Sequence, residues 1–553
     1  MLRFNHLIFI SLVWIFWLSG CELQDANTDS SVAQKSQHVG YLRIPFQDPV
    51  TTIDPGLTIA THSIEVVEQL FLGLTDFDPK TYGVVPELAT HWEVSQEGTV
   101  YTFHLRQDAK WSNGEPVTAH DVVWAIQRNI KYETNAPSFA TLYALKNAEI
   151  HSQKKEKQPE TLPPLGVRAL DDYRVEFTLE YPIGYFPALA SLWTYRPLPR
   201  KLIEQYGDKW TEPKHIQTNG SYQLTEWDKG DKLILTKNTY YYDADKVKIP
   251  KVEYQIIPDS LLALAMYKKG DLDMLGGQYL PLPQMEMPRI ISDARLRKEV
   301  QTSVNFMTEF FSFNTQNPPM DNPLVRKAIA AAIDKQALND FIIWGVNSPA
   351  TTFTRPPIFG AIDPKEEFMG IPYDPKQARA WLAEAGYPEG KIFPKVRLLY
   401  STSEDFHNIA LATQEMLKHH LGIEIEIVNQ DWPGDYLKAI KQDTTHIFRM
   451  AWTADYPDAN NWLYDVFHPH KGFFHWIWDN PEFAGAVEKA QRSANSEERQ
   501  QLYHRAEQIL TEEETAIVPV YFATTRLLVK PWIKGWYNMA FGGQHIRHWY
   551  LEN

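Results

Sequence analysis

Cysteine is almost missing from this chain: 553 residues contain one, Cys21. Beyond it there is no thiol, which excludes disulfides, zinc–cysteine sites and a thiol nucleophile in the rest of the protein. Long apolar runs are as scarce. Leu7–Leu18 is the single candidate, and it is too short to span a bilayer. No basic stretch stands out against a net charge of −15, which argues against a nucleic-acid partner. There is no G-x-S-x-G, H-E-x-x-H, P-loop or G-x-G-x-x-G motif, and no fixed-period repeat. Carboxylates are abundant, so a secreted hydrolase working with two of them stays open as a rival from a different class.

What is present begins with an export signal. Arg3 precedes the apolar Leu7–Leu18, and Ser19 and Gly20 stand before Cys21. This reads as a secretory signal peptide over residues 1–20. Its small-small-Cys ending resembles the lipobox of bacterial lipoproteins. That resemblance implies a lipidated Cys21 as mature N-terminus, residues 21–38 as a flexible tether, and a membrane-anchored protein facing periplasm or cell exterior. The remainder is 44% hydrophobic in composition and 13% aromatic, enough for a sizeable core over several domain equivalents.

Periodicity marks the elements. "YTFHLR" and "VEFTLE" alternate as strands, with Tyr101, Phe103 and Leu105, then Val175, Phe177 and Leu179, on one face each. "VTAHDVVWAIQRNI" reads as a helix that Thr118 caps, with Asp121 at N3. "QKKEKQPETLPPLG" (153–166) reads as a loop. From Asp374 a helix has its cap, Pro375 at N1 and Gly386 at C′. Then "VRLLYS" (396–401), a helix from Phe406 that ends at Gly422, and "IEIEIV" (423–428) form a βαβ unit with parallel strands. "THIFRMAW" (445–452) is a further strand.

Just past that strand lies "RMAWTADYPDANNW" (449–462), with Asp455 among Trp452, Tyr456 and Trp462. A carboxylate desolvated by aromatic neighbours needs a cation, which a protein group, a metal or a ligand can supply. Strand carboxyl ends are where open α/β sheets hold ligands. The plainer alternative is a turn residue in "DYPDANN".

Leu74–Arg128, Ile216–Trp227, Phe310–Lys335 and the 449–462 stretch together resemble, in order, the blocks of family 5 extracellular solute-binding proteins. The likeness is greatest to oligopeptide-binding lipoproteins. It implies an α/β, two-lobed periplasmic-binding-protein-like fold (type II, large peptide-binding class) with an extra α+β domain and a hinge between lobes. Lobe I would hold residues 39–74, 194–304 and 515–553, the extra domain 75–193, and lobe II 305–514. The resemblance also implies a monomer without cofactor that binds peptides and hands them to an ABC permease and its ATPase. By the same resemblance Asp455 meets the peptide's α-ammonium, and main chain at Ala451 and Thr453 pairs with the ligand opposite Ile59–Thr61. Arg449 and His407 would meet its carboxylate. Trp452 and Trp432 would line side-chain pockets if they are not simply core. Phe139 stands where relatives carry a tyrosine. Dipeptides, murein peptides and nickel or metal chelates are ligands of the same fold class, the last prompted by His468, His470 and His475 in "HPHKGFFHW". A sensory role would share the sequence.

Overall fold

The computed structural model describes residues 40–552 apart from 156–158, 160, 344, 432, 433 and 443. The signal segment, the tether and Cys21 therefore lie outside the described residues, as does Trp432. No helix among the described residues is long and apolar enough to cross a membrane.

Two four-stranded sheets occupy the first half of the chain. One sets Leu42–Phe46, Lys251–Ile256, Lys232–Lys237 and Tyr222–Asp228 side by side, the first pair parallel. The other is antiparallel, in the order Ala89–Val94, Val100–Leu105, Arg174–Thr178, Val167–Asp171. Its alternation is the expected one: Tyr101, Phe103 and Leu105 are buried, and Phe103 meets Phe177 edge to face at 5.6 Å. Helix Ala119–Asn129 covers it, closed by a capping box in which Asp121 accepts the Thr118 N–H at 2.8 Å.

The third sheet has seven strands: β1 (Met274–Gly276), β2 (Val300–Phe313), β3 (Ser348–Pro349), β4 (Val396–Ser401), β5 (Ile425–Gln430), β6 (Ile447–Thr453) and β7 (Ile517–Val529). Their spatial order is β1-β7-β2-β6-β4-β5, with β3 against β7. The βαβ unit is present, with β4 and β5 parallel across helix α1 (Glu404–Leu421). Two boundaries differ from the sequence reading. Helix α1 starts at Glu404 rather than Phe406, because two acids extend its first turn favourably toward the dipole. Strand β5 starts at Ile425 rather than Ile423, because Gly422 turns the chain in the left-handed region at φ +69° and the strand needs two residues to come into register. Helix Pro375–Glu384 has Asp374 accepting from Lys376 and Gln377 N–H, both at 3.0 Å.

Strands β2 and β7 are unusually long, 14 and 13 residues, and they run antiparallel through the sheet. One end lies in a core with Leu264, Leu272 and Leu528. The other lies in a separate core with Phe311, Leu398, Ile409 and Val520. This is a two-lobed α/β protein whose lobes share two strands. The β2–β7 register breaks between Val304 and Thr308. Arg355 fills the break, its guanidinium Nη1 donating to both Asn305 O and Ala523 O. Burial lowers its pKa to about 10, while Tyr82 acts the other way.

Removing that donor should be costly. Arg355→Met leaves two buried carbonyls unsatisfied, with an expected loss of about 1–3 kcal/mol for each. Urea denaturation should show a lower midpoint for Arg355→Met and a smaller drop for Arg355→Lys. Equal midpoints for wild type and Arg355→Met would contradict the bracing role.

Candidate functional site

Strand β6 has one edge fully used and one edge mostly open. Strand β2 pairs with it from Ile447 to Thr453, whereas β4 reaches only Ile447 and Phe448. The Ala454 N–H donates to Phe306 O at 2.8 Å. Hydrogen-bonded and non-bonded pairs alternate in an antiparallel ladder. The main-chain groups of Ala451 and Thr453 therefore point away from β2, toward the edge that β4 leaves uncovered. Tyr436 Oη donates to Arg449 O on that same edge.

The end of this edge meets a cavity of about 520 Å³, within the roughly 300–1,000 Å³ range of ligand sites. Ile59, Thr61 and Trp193 line one side, and Thr453, Ala454 and Asp455 another. Asn305 and Met307 of β2, Tyr521, Ala523 and Arg526 of β7, and Asp405 and Phe406 of α1 also face it. The lining draws on residues assigned from sequence to both lobes. The structure thus brings together Asp455, Thr453, Ile59 and Thr61 from the sequence candidates. Ile59 is 63% exposed, a large apolar side chain left open beside the cavity.

Asp455 is half-buried at the cavity wall. Burial pushes its pKa up to about 6, only partly offset by Asn461 Nδ2, which donates to Oδ2 at 3.3 Å. Among the described residues, no Lys, Arg or His forms an ion pair with it. The turn in "DYPDANN" is made by a different residue. Asp458 Oδ1 accepts the Asn460 N–H at 3.0 Å, opening helix α2 (Asn460–Phe467). Asp455 is therefore not the turn-forming acid.

Asn461 was not singled out by sequence, yet it orients the site. Its Oδ1 accepts the Asp455 N–H at 2.9 Å and Trp452 Nε1–H at 3.2 Å, and its Nδ2 also reaches Asp465 Oδ2 at 3.1 Å. Trp452 thus supports Asn461 and is not among the lining residues. Ala451 sits within β6 opposite Glu309. Phe139 opens a short 3₁₀ turn, Phe139–Ala144, and its side chain lies outside the described part.

The two expected carboxylate acceptors sit differently from that expectation. Arg449 Nε and Nη2 donate to the Glu309 carboxylate, and the guanidinium stacks 3.3 Å from the Phe406 ring centroid. Its charge is met by protein, because Glu309 stands two residues from Met307 on the neighbouring strand, facing β6. His407 lies in the first turn of α1, exposed, with Nδ1 2.6 Å from Tyr400 Oη. Neither lines the cavity. Arg526 does line it, and no sequence argument found it. The signal was available: one charged residue in the otherwise uncharged strand "IVPVYFATTRLLV".

Two metal readings can be weighed on geometry. His468 Nε2 is 2.9 Å from Glu488, and His475 Nδ1 is 3.0 Å from Gly472 O, so these histidines are engaged separately. Beneath the cavity, Glu68, Asp76 and His545 bring ligand atoms close together. The Arg547 guanidinium occupies that position, bonded to Asp76 and 3.2 Å from Glu87. The cation there is a side chain.

Comparison with known proteins agrees with this architecture. Residues 83–474 match the model described as bacterial extracellular solute-binding proteins, family 5 Middle. The chain is 31% identical over 493 residues to the periplasmic oligopeptide-binding protein OppA of Escherichia coli (strain K12), covering 88% of each. It is 29% identical over 557 residues to the oligopeptide-binding protein OppA of Bacillus subtilis (strain 168), covering 99% of each. Among solved structures, the Escherichia coli murein tripeptide binding protein MppA superposes with a TM-score of 0.75, at 29% identity, over 92% of this chain and 98% of that one.

The Glu309–Arg449 pair is buried on both sides, at 1% and 11% side-chain exposure. Glu309→Ala strands an arginine in the sheet, with an expected loss of about 3–5 kcal/mol. Glu309→Gln keeps an acceptor and should lose less. Thermal unfolding of the three proteins checks the order, and a wild-type melting temperature for Glu309→Ala would refute it.

Proposed function

The chain belongs to the bacterial extracellular solute-binding proteins of family 5, and from that premise we propose that it is the receptor of an ABC importer for short peptides. It captures peptides outside the cytoplasm and delivers them to a membrane permease without making or breaking a bond in them. The observation that carries the reading is Asp455: a desolvated carboxylate at the cavity wall with no protein cation. A peptide's α-ammonium is the complementary charge. Fixing one end by charge sets the ligand's register without reading its side chains. The rest of the peptide lies extended along the open edge of β6, bonded to main chain at Ala451 and Thr453 in the manner of an added strand. Ile59 and Thr61 stand on the other side of the cavity.

In this reading residues 39–74, 194–304 and 515–553 form lobe I, 75–193 the extra domain and 305–514 lobe II. The lobes close about the crossing of β2 and β7. The names of the relatives support a peptide as ligand. Cys21 carries lipid after signal cleavage and keeps the receptor at the membrane surface.

The test is a two-by-two measurement by calorimetry, with free and N-acetylated peptides against wild type and Asp455→Ala. Wild type should lose about 3–5 kcal/mol on acetylation. The alanine variant should lose little, because the two changes remove one shared interaction. Equal binding of free and acetylated peptides by wild type would overturn the reading. The pH dependence follows the same groups. Asp455 must be ionised and the α-amine protonated, and the α-amine titrates near 8. Affinity should fall as pH drops through about 6, where Asp455 takes up a proton, and the fall should vanish in Asp455→Asn.

A further inference from the structure

The cavity holds one more charged group without a partner, and it has the opposite sign. Arg526 of β7 lines the cavity. Among the described residues its side chain has no ion pair, and its Nε is buried with no hydrogen-bond partner. Only its carbonyl is engaged, accepting the Gly277 N–H at 3.1 Å. The protein's other half-buried and buried arginines are handled differently. Arg449 has Glu309, Arg499 has Asp458 at 2.7 Å, Arg547 has Asp76, and Arg355 has two carbonyls. Burial alone lowers the pKa of Arg526, with no acid acting the other way. A guanidinium that presents unused donors to a cavity is an anion acceptor, and its planar fork suits a carboxylate.

From this arrangement we propose that Arg526 receives a carboxylate of the bound peptide, the role that Arg449 is occupied away from. The inference rests on the peptide reading above and adds the second anchor. Position supports it. Thr302 stands opposite Arg526, and the Phe306–Ala454 contact puts Asn305 level with Asp455. Three residues of strand separate the two levels, on the order of 10 Å along the axis. A single amino acid carries its two charges on one carbon and does not bridge that span, whereas a short extended peptide does. The carboxylate is either the peptide's C-terminus or an acidic side chain, and both have the same chemistry at the guanidinium.

Calorimetry on the purified protein separates these sources. Polyalanine peptides of two to five residues are compared as free acids and C-terminal amides, and Ala-Glu-Ala-amide is compared with Ala-Gln-Ala-amide. Wild type should prefer the carboxylate form at least tenfold in one of the two comparisons. Arg526→Gln should erase that preference while binding the neutral peptides as wild type does, and Arg526→Lys should restore part of it. Arg526→Gln should melt with wild type, since the side chain has no partner to lose. An undiminished preference in Arg526→Gln, with N-acetylation still weakening binding, would overturn the Arg526 assignment and leave the peptide reading standing. Peptides that fail to bind wild type at all would overturn both.

Discussion

Everything at the site hangs on two strands that belong to both lobes. If β2 and β7 paired without interruption over their whole length, the lobes would be one rigid slab and no cavity would open between them. The register break at Val304–Thr308 releases main-chain groups exactly where a cavity needs them, and a buried polar group left without a partner is expensive. Arg355 resolves the conflict by donating to carbonyls on both strands. A guanidinium suits the position because a single rigid group reaches two acceptors. The cavity wall at Asn305, Met307, Ala523 and Arg526 lies along this interrupted stretch.

The charges around the cavity sort by whether the fold has answered them. Glu309 with Arg449, Asp458 with Arg499 and Asp76 with Arg547 are closed pairs. Asp455 and Arg526 line the same cavity and neither has a counterion. Such groups are destabilising in the folded protein. A fold that already supplies partners for its other buried acids and arginines, yet leaves one of each sign open in a single cavity, has the electrostatic pattern of a site for a zwitterion.

Much of this was legible in the sequence, and the reasons differ by residue. The helix at Asp374–Gly386 carries its cap, Pro and Gly in the order that local chemistry demands, so it reads cleanly. Asp455 was conspicuous as a lone acid among aromatics, and the strand before it placed it at a carboxyl end. The rest depended on partners far away in the chain. Arg449 looks free in "RMAWTADYP" until strand pairing brings Glu309, 140 residues earlier, across from it. Asn461 looks like a turn former until folding turns its amide onto Asp455 and Trp452. Arg526 was hidden in the opposite way, since its local pattern suggests a strand and only the cavity gives the charge a purpose.

The value near 6 at Asp455 reconciles two demands on that carboxylate. Strong attraction for an ammonium requires low local dielectric, and low dielectric drives a carboxylate toward its neutral acid. Complete burial would leave it protonated at neutral pH and blind to charge. Full exposure would leave it ionised, and water would screen most of the attraction. The Asn461 amide, donating at 3.3 Å, holds the balance by stabilising the ionised form. Because Asn461 also fixes the Asp455 main chain, the group that tunes the charge is the one that aims it. Desolvation of the carboxylate is thus borne by folding, before any ligand arrives, and an incoming ammonium meets an acceptor that has little water left to shed.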